Sequence, residues 1–249
     1  MLGYFMQINS NKGFTLVELS IVIVIIGLLI AGVTAGRNIV QTAKLQSIVS
    51  ETNKFMVAYN TFKLQYNAKP GDMSNAQTFW ASATQGDGNG SIGNGNTSIN
   101  SSEGFAFWQH LALASLIEGT YTGVIGSGVV IGKNVPKANY KTTATYYVYS
   151  STLWSNYAAG NSIVLSGTTS SGYDDYQVLV NDAYNLDKKI DDGVPYLGRI
   201  IGYSDTDGAC AAAGARLQDS PNKNNIAYKV DVPTSLCTLQ FALPDYKFR

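Results

Sequence analysis

The pattern of apolar and polar positions divides this chain into three regions. The first is the apolar segment FTLVELSIVIVIIGLLIAGVTAG, which begins at Phe14. From Leu19 to Ala35 it carries no charge. An apolar helix of about 20 residues, rising 1.5 Å per residue, crosses a hydrocarbon core of roughly 30 Å. The first region is therefore predicted to be a membrane-spanning helix.

The second region continues this helix but has only one apolar face. Its apolar residues recur mostly at intervals of three and four, as in a helix with one buried side. They are Leu45, Ile48, Val49, Phe55, Met56, Tyr59, Phe62 and Tyr66. The sequence KPGD, which begins at Lys69, is a signal for the end of a helix. We therefore expect one helix from Phe14 to about Asn67.

The third region alternates short apolar runs with Gly, Asn, Pro and Ser, which is typical of strands and turns. The predicted strands are Tyr121–Ile125 with Val129–Ile131, Ala144–Tyr149, Ile163–Leu165, Tyr176–Val180, Leu197–Ile201, Ile226–Val230 and Thr238–Leu243. We expect an α+β fold in which the long N-terminal helix packs on an antiparallel sheet. A short helix is predicted from Ser102 or Glu103 to Glu118. Its candidate buried residues are Phe105, Trp108, Leu111, Leu113 and Leu116.

Two polar segments contain carboxylates that deserve a test as metal ligands. Residues 86–101 are rich in Gly, Asn and Ser, and the sequence DGNG at Asp87 matches part of a calcium-binding loop. No acidic residue closes that pattern at the required spacing, so we interpret the segment as a plain flexible loop. Residues 181–193 predict a helix on which Asp187 and Asp191 share one face. Asp192 adjoins them, but we favour a solvated helix with internally paired charges, and we assign no metal ligand.

Charge and composition exclude several classes of function. Lys and Arg number 17, Asp and Glu number 17, and no stretch concentrates the basic residues. A general nucleic-acid binder needs a basic surface, so nucleic acid is not an expected partner. His110 is the only histidine, and a zinc site or a histidine-based nucleophile therefore lacks its parts. Paired carboxylates such as Asp174 and Asp175 mark no cleft. We expect neither an enzyme nor a bound cofactor.

The two cysteines, Cys210 and Cys237, both lie near the C-terminus. In an exported domain they can form a disulfide, whereas in a cytosolic protein two buried thiols would be expected. Because the apolar N-terminal segment indicates export, we expect the disulfide. A bridge that closes a loop of this length would add about 3–4 kcal/mol to the free energy of unfolding.

A single acidic residue, Glu18, interrupts the apolar segment. A charge in the bilayer costs on the order of 2.5 kcal/mol or more unless it finds a partner. Cleavage of the chain after Gly13 would keep the helix and create an ammonium group on Phe14, one helical turn from Glu18. The two charges attract in a medium of low dielectric constant. The alternative is an uncleaved anchor whose Glu18 reaches the membrane interface.

The sequence GFTLVE, from Gly13 to Glu18, closely resembles the processing site of type IV pilins and type II secretion pseudopilins. The resemblance implies that a prepilin peptidase cleaves between Gly13 and Phe14 and methylates the new Phe14 amine. It also implies that Glu18 pairs with the Phe14 amine of a neighbouring subunit and sets the axial register. Gly32 and Gly36 form a GxxxG pair that permits close helix approach, or they are ordinary glycines of a membrane helix.

This resemblance implies four regions: a leader at 1–13, a transmembrane and assembly segment at 14–36, an amphipathic segment at 37–68 and a globular α+β domain at 69–249. Translation from Met6 rather than Met1 would give a leader of more usual length. The implied partners are other pilin or pseudopilin subunits, the prepilin peptidase, the inner membrane and its assembly platform.

The implied function is that of a filament subunit. It is held in a bacterial inner membrane with its globular domain in the periplasm, and is then extracted into a pilus or a secretion pseudopilus. Many major pilins carry a proline at the position of Ala35, and its absence here favours a minor pilin or a pseudopilin. The alternative is a binding module at the filament tip that contacts a surface, DNA or an exported substrate.

Overall fold

The computed structural model describes residues 13–93, 102–126, 128–151, 158–168, 175–204, 209–211, 226–245 and 247–248. The chain divides into two compact units, of which the first ends at Ala43 and the second begins at Lys44. The leader residues before Gly13 lie outside the described part of the chain.

Helix α1 spans Leu16–Tyr66, a total of 51 residues. The prediction of one helix from Phe14 to about Asn67 is thus confirmed to within two residues. In the first unit this helix is exposed at every position except Gln41, which is half-buried. It is long and apolar enough to cross a membrane, and it continues without a break through Ala35.

In the second unit, helix α1 buries one face. The buried residues are Ile48, Thr52, Phe55, Ala58, Tyr59 and Phe62, which follow the helical period. The ring of Phe55 makes edge contacts with Trp108 at 4.8 Å and with Tyr146 at 5.2 Å between centroids. The amphipathic part of the helix therefore supplies a large share of the core of this unit.

Two shorter helices follow, α2 at Ala76–Phe79 and α3 at Ser102–Leu113. Helix α3 is buried at every position from Glu103 to Leu111, and it packs against β1. The predicted end at Glu118 is wrong, because the chain leaves the helix through Ser115, whose φ is +57°.

The end of α3 has the hydrogen bonds of a Schellman motif. The Leu116 amide donates to the Leu111 carbonyl at 2.9 Å, and the Ser115 amide donates to the Ala112 carbonyl at 2.9 Å. Leu113 and Leu116, which the sequence predicts to be buried, are only half-buried, because they belong to this turn or adjoin it.

Within the described residues the sheet contains six strands: β1 Thr145–Ser151, β2 Ala158–Ser166, β3 Val178–Leu179, β4 Ile200–Tyr203, β5 Leu236–Ala242 and β6 Lys247–Phe248. Their order is β1-β2-β5-β3, with β4 also paired to β5 and β6 paired to β2. Every pair is antiparallel, which confirms the predicted α+β fold. The register places Val148 opposite Ile163 and Ile163 opposite Phe241, all three of them buried.

Three of the predicted strands do not form as such. Residues 226–230 contribute only an isolated bridge between Tyr228 and Ala211. Residues 121–125 and 129–131 are irregular apart from an isolated bridge between Ile131 and Val135, and Gly123 and the adjoining Gly128 have positive φ. The side chain of Asn134 makes hydrogen bonds to backbone groups of this region in place of the bonds that paired strands would make. Its Nδ2 donates to the carbonyls of Ile125 and Gly128, at 3.0 and 2.8 Å, and its Oδ1 accepts from the Val130 amide at 2.8 Å.

Helix α4 spans Val180–Ile190 and contacts β3, β4 and β5. The prediction of a solvated, internally paired helix is wrong, because two of its carboxylates are buried. The Tyr140 hydroxyl donates to Asp182 Oδ2 at 2.8 Å, and the Tyr228 hydroxyl donates to Asp187 Oδ2 at 2.7 Å. These carboxylates are held by tyrosines from other parts of the unit, which a reading of local charge pairs does not find.

Candidate functional site

The Gly13–Phe14 peptide lies in an open segment just before helix α1. Both residues are exposed, and the Phe14 side chain is 86% exposed. No neighbouring heavy atom comes within 4 Å of the place where a side chain on Gly13 would begin. Regular helix starts only at Leu16. This peptide bond is therefore accessible to a protease without unfolding of the helix.

Thr15 and Glu18 form a capping box at the start of α1. The Glu18 amide donates to Thr15 Oγ1 at 3.2 Å, and the Thr15 amide donates to Glu18 Oε2 at 2.8 Å. The Thr15 hydroxyl also donates to the same carboxylate oxygen at 2.8 Å. The sequence signal for this motif is a threonine followed three residues later by a glutamate. The capping box was not among the features predicted from the sequence.

The capping box fixes where the Glu18 carboxylate lies. It sits over the first turn of α1, beside the backbone of Thr15, and a negative charge at this end of a helix is favourable. Phe14, the residue on which cleavage would create an amine, immediately precedes Thr15. The arrangement thus places a carboxylate close to the new chain end, and it also gives Glu18 a role within its own chain.

Cys210 and Cys237 form the expected disulfide, with their Cα atoms 5.1 Å apart. Both residues are fully buried. Cys237 lies on β5, and the Cys210 carbonyl accepts a hydrogen bond from the Lys229 amide at 2.9 Å. The bridge therefore joins a peripheral segment to a central strand of the sheet.

His110 is a structural residue at the centre of the second unit. Its Nδ1 accepts a hydrogen bond from the Gly71 amide at 2.9 Å, and its Nε2 lies 2.7 Å from the Thr84 carbonyl. A single neutral tautomer satisfies both contacts, with Nε2 as the donor. Burial lowers the pKa of His110, although the Thr84 carbonyl opposes the shift. Both ring nitrogens are used, so the ring is not free to act as a catalytic base.

Two groups of carboxylates within the described residues lie close enough to share a cation. In the first, one oxygen from each of Asp72, Asp87 and Glu103 lies within 4.8 Å of the others. We call this group the Asp72 cluster. Asp72 and Glu103 are buried and Asp87 is exposed. These residues are widely separated in the sequence. The partial calcium-loop pattern at Asp87 therefore does not include Asp72 or Glu103.

The second group consists of Asp187, Asp191 and Asp192. Each of its carboxylates accepts hydrogen bonds from the protein. Asp187 accepts from Tyr228 and from the Gly193 amide, Asp191 from the Arg199 and Ile200 amides, and Asp192 from the Val194 amide. Among the described residues, this group therefore differs from the Asp72 cluster, because it contains no buried carboxylate oxygen that lacks a hydrogen-bond partner.

Residues 8–34 match the family model described as a prokaryotic N-terminal methylation motif. No curated protein and no solved structure matches the chain significantly. The motif covers Gly13, Phe14 and Glu18, and it is consistent with the type IV pilin and pseudopilin family. It supports a pilin-like precursor, and it implies processing by a prepilin peptidase and assembly with other pilin subunits.

Proposed function

We propose that this chain is a minor pilin or a pseudopilin, anchored in a bacterial inner membrane and then assembled through its N-terminal helix into a pilus or a secretion pseudopilus. The observation that carries the proposal is the exposure of the apolar part of α1. Its exposed side chains include Leu28 at 76%, Val24 at 70% and Ile23 at 62%. Transfer of such a side chain from water to an apolar environment gains about 1.5–3 kcal/mol. This surface therefore requires lipid or neighbouring helices around it.

The polar side chains of this segment make their hydrogen bonds within the helix itself. The Ser20 hydroxyl donates to the Val17 carbonyl at 2.8 Å, and the Thr34 hydroxyl donates to the Ala31 carbonyl at 2.9 Å. Neither hydroxyl needs water once the segment enters an apolar medium. The same helix can therefore pass from lipid into a bundle of helices without breaking these bonds.

The glycines of the segment support close packing between subunits. The positions where side chains would begin on Gly27, Gly32 and Gly36 face open space in the single chain. Each glycine costs the helix about 1 kcal/mol relative to alanine, and no contact among the described residues offsets that cost. Contact with a neighbouring helix, which small residues permit, would do so. The unbroken helix through Ala35, without the proline of many major pilins, favours a minor subunit or a pseudopilin.

Glu18 supplies the register of the proposed assembly. After cleavage, the ammonium group on Phe14 of one subunit pairs with the Glu18 carboxylate of its neighbour, and each charge offsets part of the desolvation cost of the other. The capping box holds the carboxylate at the first turn, so the partner must come to a fixed height.

The second unit fits the periplasm and the outside of the cell. A disulfide persists in oxidising compartments and is rare in the cytosol. The proposed activity is assembly on the inner-membrane platform, not catalysis. A binding module at the filament tip stays an alternative prediction, since no contact in the described residues favours a particular ligand for it.

Mass spectrometry of the native N-terminus tests the processing step. We expect the mature chain to begin at Phe14 with a methylated amine. A mature chain that still begins at Met1 or Met6 would contradict the proposal.

Replacement of Glu18 by Gln tests the register. Glutamine can keep the capping box but removes the charge. We therefore expect Glu18→Gln to insert into the membrane normally and to be absent, or nearly so, from sheared filaments. Thr15→Ala removes the hydroxyl of the capping box and keeps the charge, and we expect it to assemble. Glu118→Gln, at an exposed position far along the chain, is the matched charge control.

Two results would overturn the register argument. One is assembly of Glu18→Gln at the level of the unchanged protein. The other is loss of assembly in Thr15→Ala as complete as in Glu18→Gln, because the capping box alone would then explain the need for Glu18.

A further inference from the structure

The Asp72 cluster draws its carboxylates from three separate segments. Asp72 lies in the turn region between α1 and α2, Asp87 lies in the loop between α2 and α3, and Glu103 lies in the first turn of α3. One oxygen of each lies within 4.8 Å of the others. Three carboxylates at this distance repel one another unless a proton or a cation lies between them.

The loop at residues 86–93 is folded around these carboxylates. Glu103 accepts hydrogen bonds from the Asp87 amide at 2.9 Å and from the Gly93 amide at 2.7 Å. Asp72 Oδ2 accepts one from the Gly90 amide at 3.0 Å. Gly90 has a φ of +90°, a conformation that glycine adopts without strain. This part of the predicted flexible loop is therefore held by specific bonds.

One oxygen of the cluster has no partner within the described structure. Asp72 is only 5% exposed, and its Oδ1 is buried without any hydrogen-bond donor. A buried carboxylate oxygen left unpaired is costly, so such atoms are nearly always hydrogen-bonded or bound to a metal. Oδ1 of Asp72 is thus a buried oxygen that a cation or a proton would satisfy.

The ammonium group of Lys69, which lies near the cluster, already has other partners. The Lys69 ammonium forms an ion pair with Asp245 and also donates to the Gly90 carbonyl. It lowers the pKa of Asp72, but burial outweighs it and raises that pKa, with a further contribution from the charge of Asp87. Burial likewise raises the pKa of Glu103. The charge of Lys69 is therefore shared between Asp245, its ion-pair partner, and Asp72 of the cluster.

We infer that Asp72, Asp87 and Glu103 form a binding site for a calcium ion, with the unpartnered oxygen of Asp72 among its ligands. The donors are all oxygens, which hard cations prefer, and the cluster holds no Cys or His for zinc. Calcium accepts six to eight oxygens in irregular arrangements, whereas magnesium demands a near-ideal octahedron. An irregular loop in which the exposed Asp87 has access to water suits calcium.

A bound ion would tie the segment after α1 to α3 through the loop. Sites on extracellular proteins bind calcium with Kd values of about 10⁻⁴–10⁻³ M, so even a weak site would be occupied there. The inference does not require filament assembly, since binding by the isolated chain tests it directly. Failure of the assembly experiments would leave it standing, and its own failure would leave the proposed filament function standing.

The test uses the full chain in detergent, stripped of metal with a chelator and titrated with CaCl₂. Isothermal titration calorimetry should give one site per chain. At about 100 times the Kd, calcium should raise the unfolding midpoint by about 5–10 °C, and MgCl₂ at the same concentration should raise it less. Asp87→Asn should weaken binding at least tenfold. Because Asp87 is exposed, this variant should fold.

Asp192→Asn is the matched control, since it removes an exposed carboxylate from the other acidic group. We expect it to bind calcium like the unchanged chain. Asp72→Asn, if it folds, should abolish the response. Absence of calcium binding by the unchanged chain would overturn the inference and indicate that the cluster holds a proton instead. Equal binding by Asp87→Asn, or loss of binding in Asp192→Asn only, would also overturn it.

Discussion

Helix α1 has an exposed apolar part and an amphipathic part with one buried face. The first part is the one proposed to drive assembly, and the second contributes to the folding of the second unit. From Leu16 to Ala43 its side chains are exposed whatever their polarity, except for the half-buried Gln41. From Lys44 onward the same helix hides one face, and Tyr59 and Phe62 are fully buried while Leu64 is 88% exposed. A helix that is apolar on all sides must be covered by lipid or by other helices. An amphipathic helix packs its apolar face against its own domain.

The polar contacts of the two regions differ in the same way. In the first region Glu18 bonds to Thr15, three residues away. In the second, Glu51 accepts from the Tyr146 hydroxyl at 2.7 Å, and the Tyr59 hydroxyl donates to Asp245 at 2.9 Å. Local bonds travel with the helix when its surroundings change. Long-range bonds fix the helix to one domain, so in the proposed assembly only the first region exchanges lipid for other subunits.

The largest effect is expected from truncation of the buried face. Phe62 contacts the rings of Tyr66, Trp80 and His110, and Phe62→Ala would leave a cavity among them. We expect the free energy of unfolding of the second unit to fall by about 3–5 kcal/mol, measured by chemical denaturation of the full chain in detergent.

Leu64→Ala is the matched control on the same helix. Because Leu64 is exposed, its truncation should change the free energy of unfolding by no more than about 0.5 kcal/mol. Comparable losses of unfolding free energy in the two variants would mean that the second region of the helix does not have one buried and one exposed face. The difference drawn between the two regions would then be wrong.

Loss of the disulfide is expected to come next. Cys210 and Cys237 are 27 residues apart, and the double replacement by Ser should lower the free energy of unfolding by about 3–4 kcal/mol. Reduction of the unchanged chain should lower it by a similar amount. Membrane insertion should be unaffected, because the first region contains neither cysteine. Equal stability of the oxidised and reduced chains would show that the bridge adds nothing to the second unit.

Much of this architecture could be predicted from local patterns. The spacing of apolar residues such as Ile48 and Phe55 predicts that the helix changes from apolar to amphipathic near residue 40. The predicted strands Ala144–Tyr149, Ile163–Leu165 and Thr238–Leu243 overlap β1, β2 and β5, respectively. The capping box was also predictable, since Thr15 and Glu18 have its spacing. The bond of Glu18 to Thr15 then follows from sequence alone.

The rest depends on contacts that no local pattern records. Ser115 ends α3 with a positive φ, a role more typical of glycine, because Leu116 packs into the same core as Leu111. The members of the Asp72 cluster come from either side of α2 and from α3. Their proximity follows only once the segments are folded against one another.

A smaller effect is expected from the side chain that organises the loop before β1. Asn134→Ala would leave the Val130 amide and the carbonyls of Ile125 and Gly128 without their bonds. The free energy of unfolding should fall by about 1–3 kcal/mol, because Asn134 is buried and these groups become unsatisfied. Asn60→Ala, at an exposed position of α1, should have little effect. Equal effects in the two variants would remove the assigned role of Asn134.

A pH-dependent effect on stability is expected at Asp187. Burial raises the pKa of Asp187 to about 7 from an ordinary value of 3.8, against the hydrogen bond from Tyr228. Between these two values the folded chain holds a proton that the unfolded chain releases. The contribution of Asp187 to stability therefore falls as the pH rises from about 4 to about 7, and it is constant above that.

Asp187→Asn removes this dependence, so its stability relative to the unchanged chain should improve with pH across the same window. Denaturation of both chains at several pH values measures the difference. The opposite contribution of His110, whose lowered pKa makes the fold less stable in acid, is common to both chains and cancels. A difference that is independent of pH would mean that Asp187 stays ionised throughout the window. The hydrogen bonds from the Tyr228 hydroxyl and the Gly193 amide would then be enough to keep this carboxylate charged.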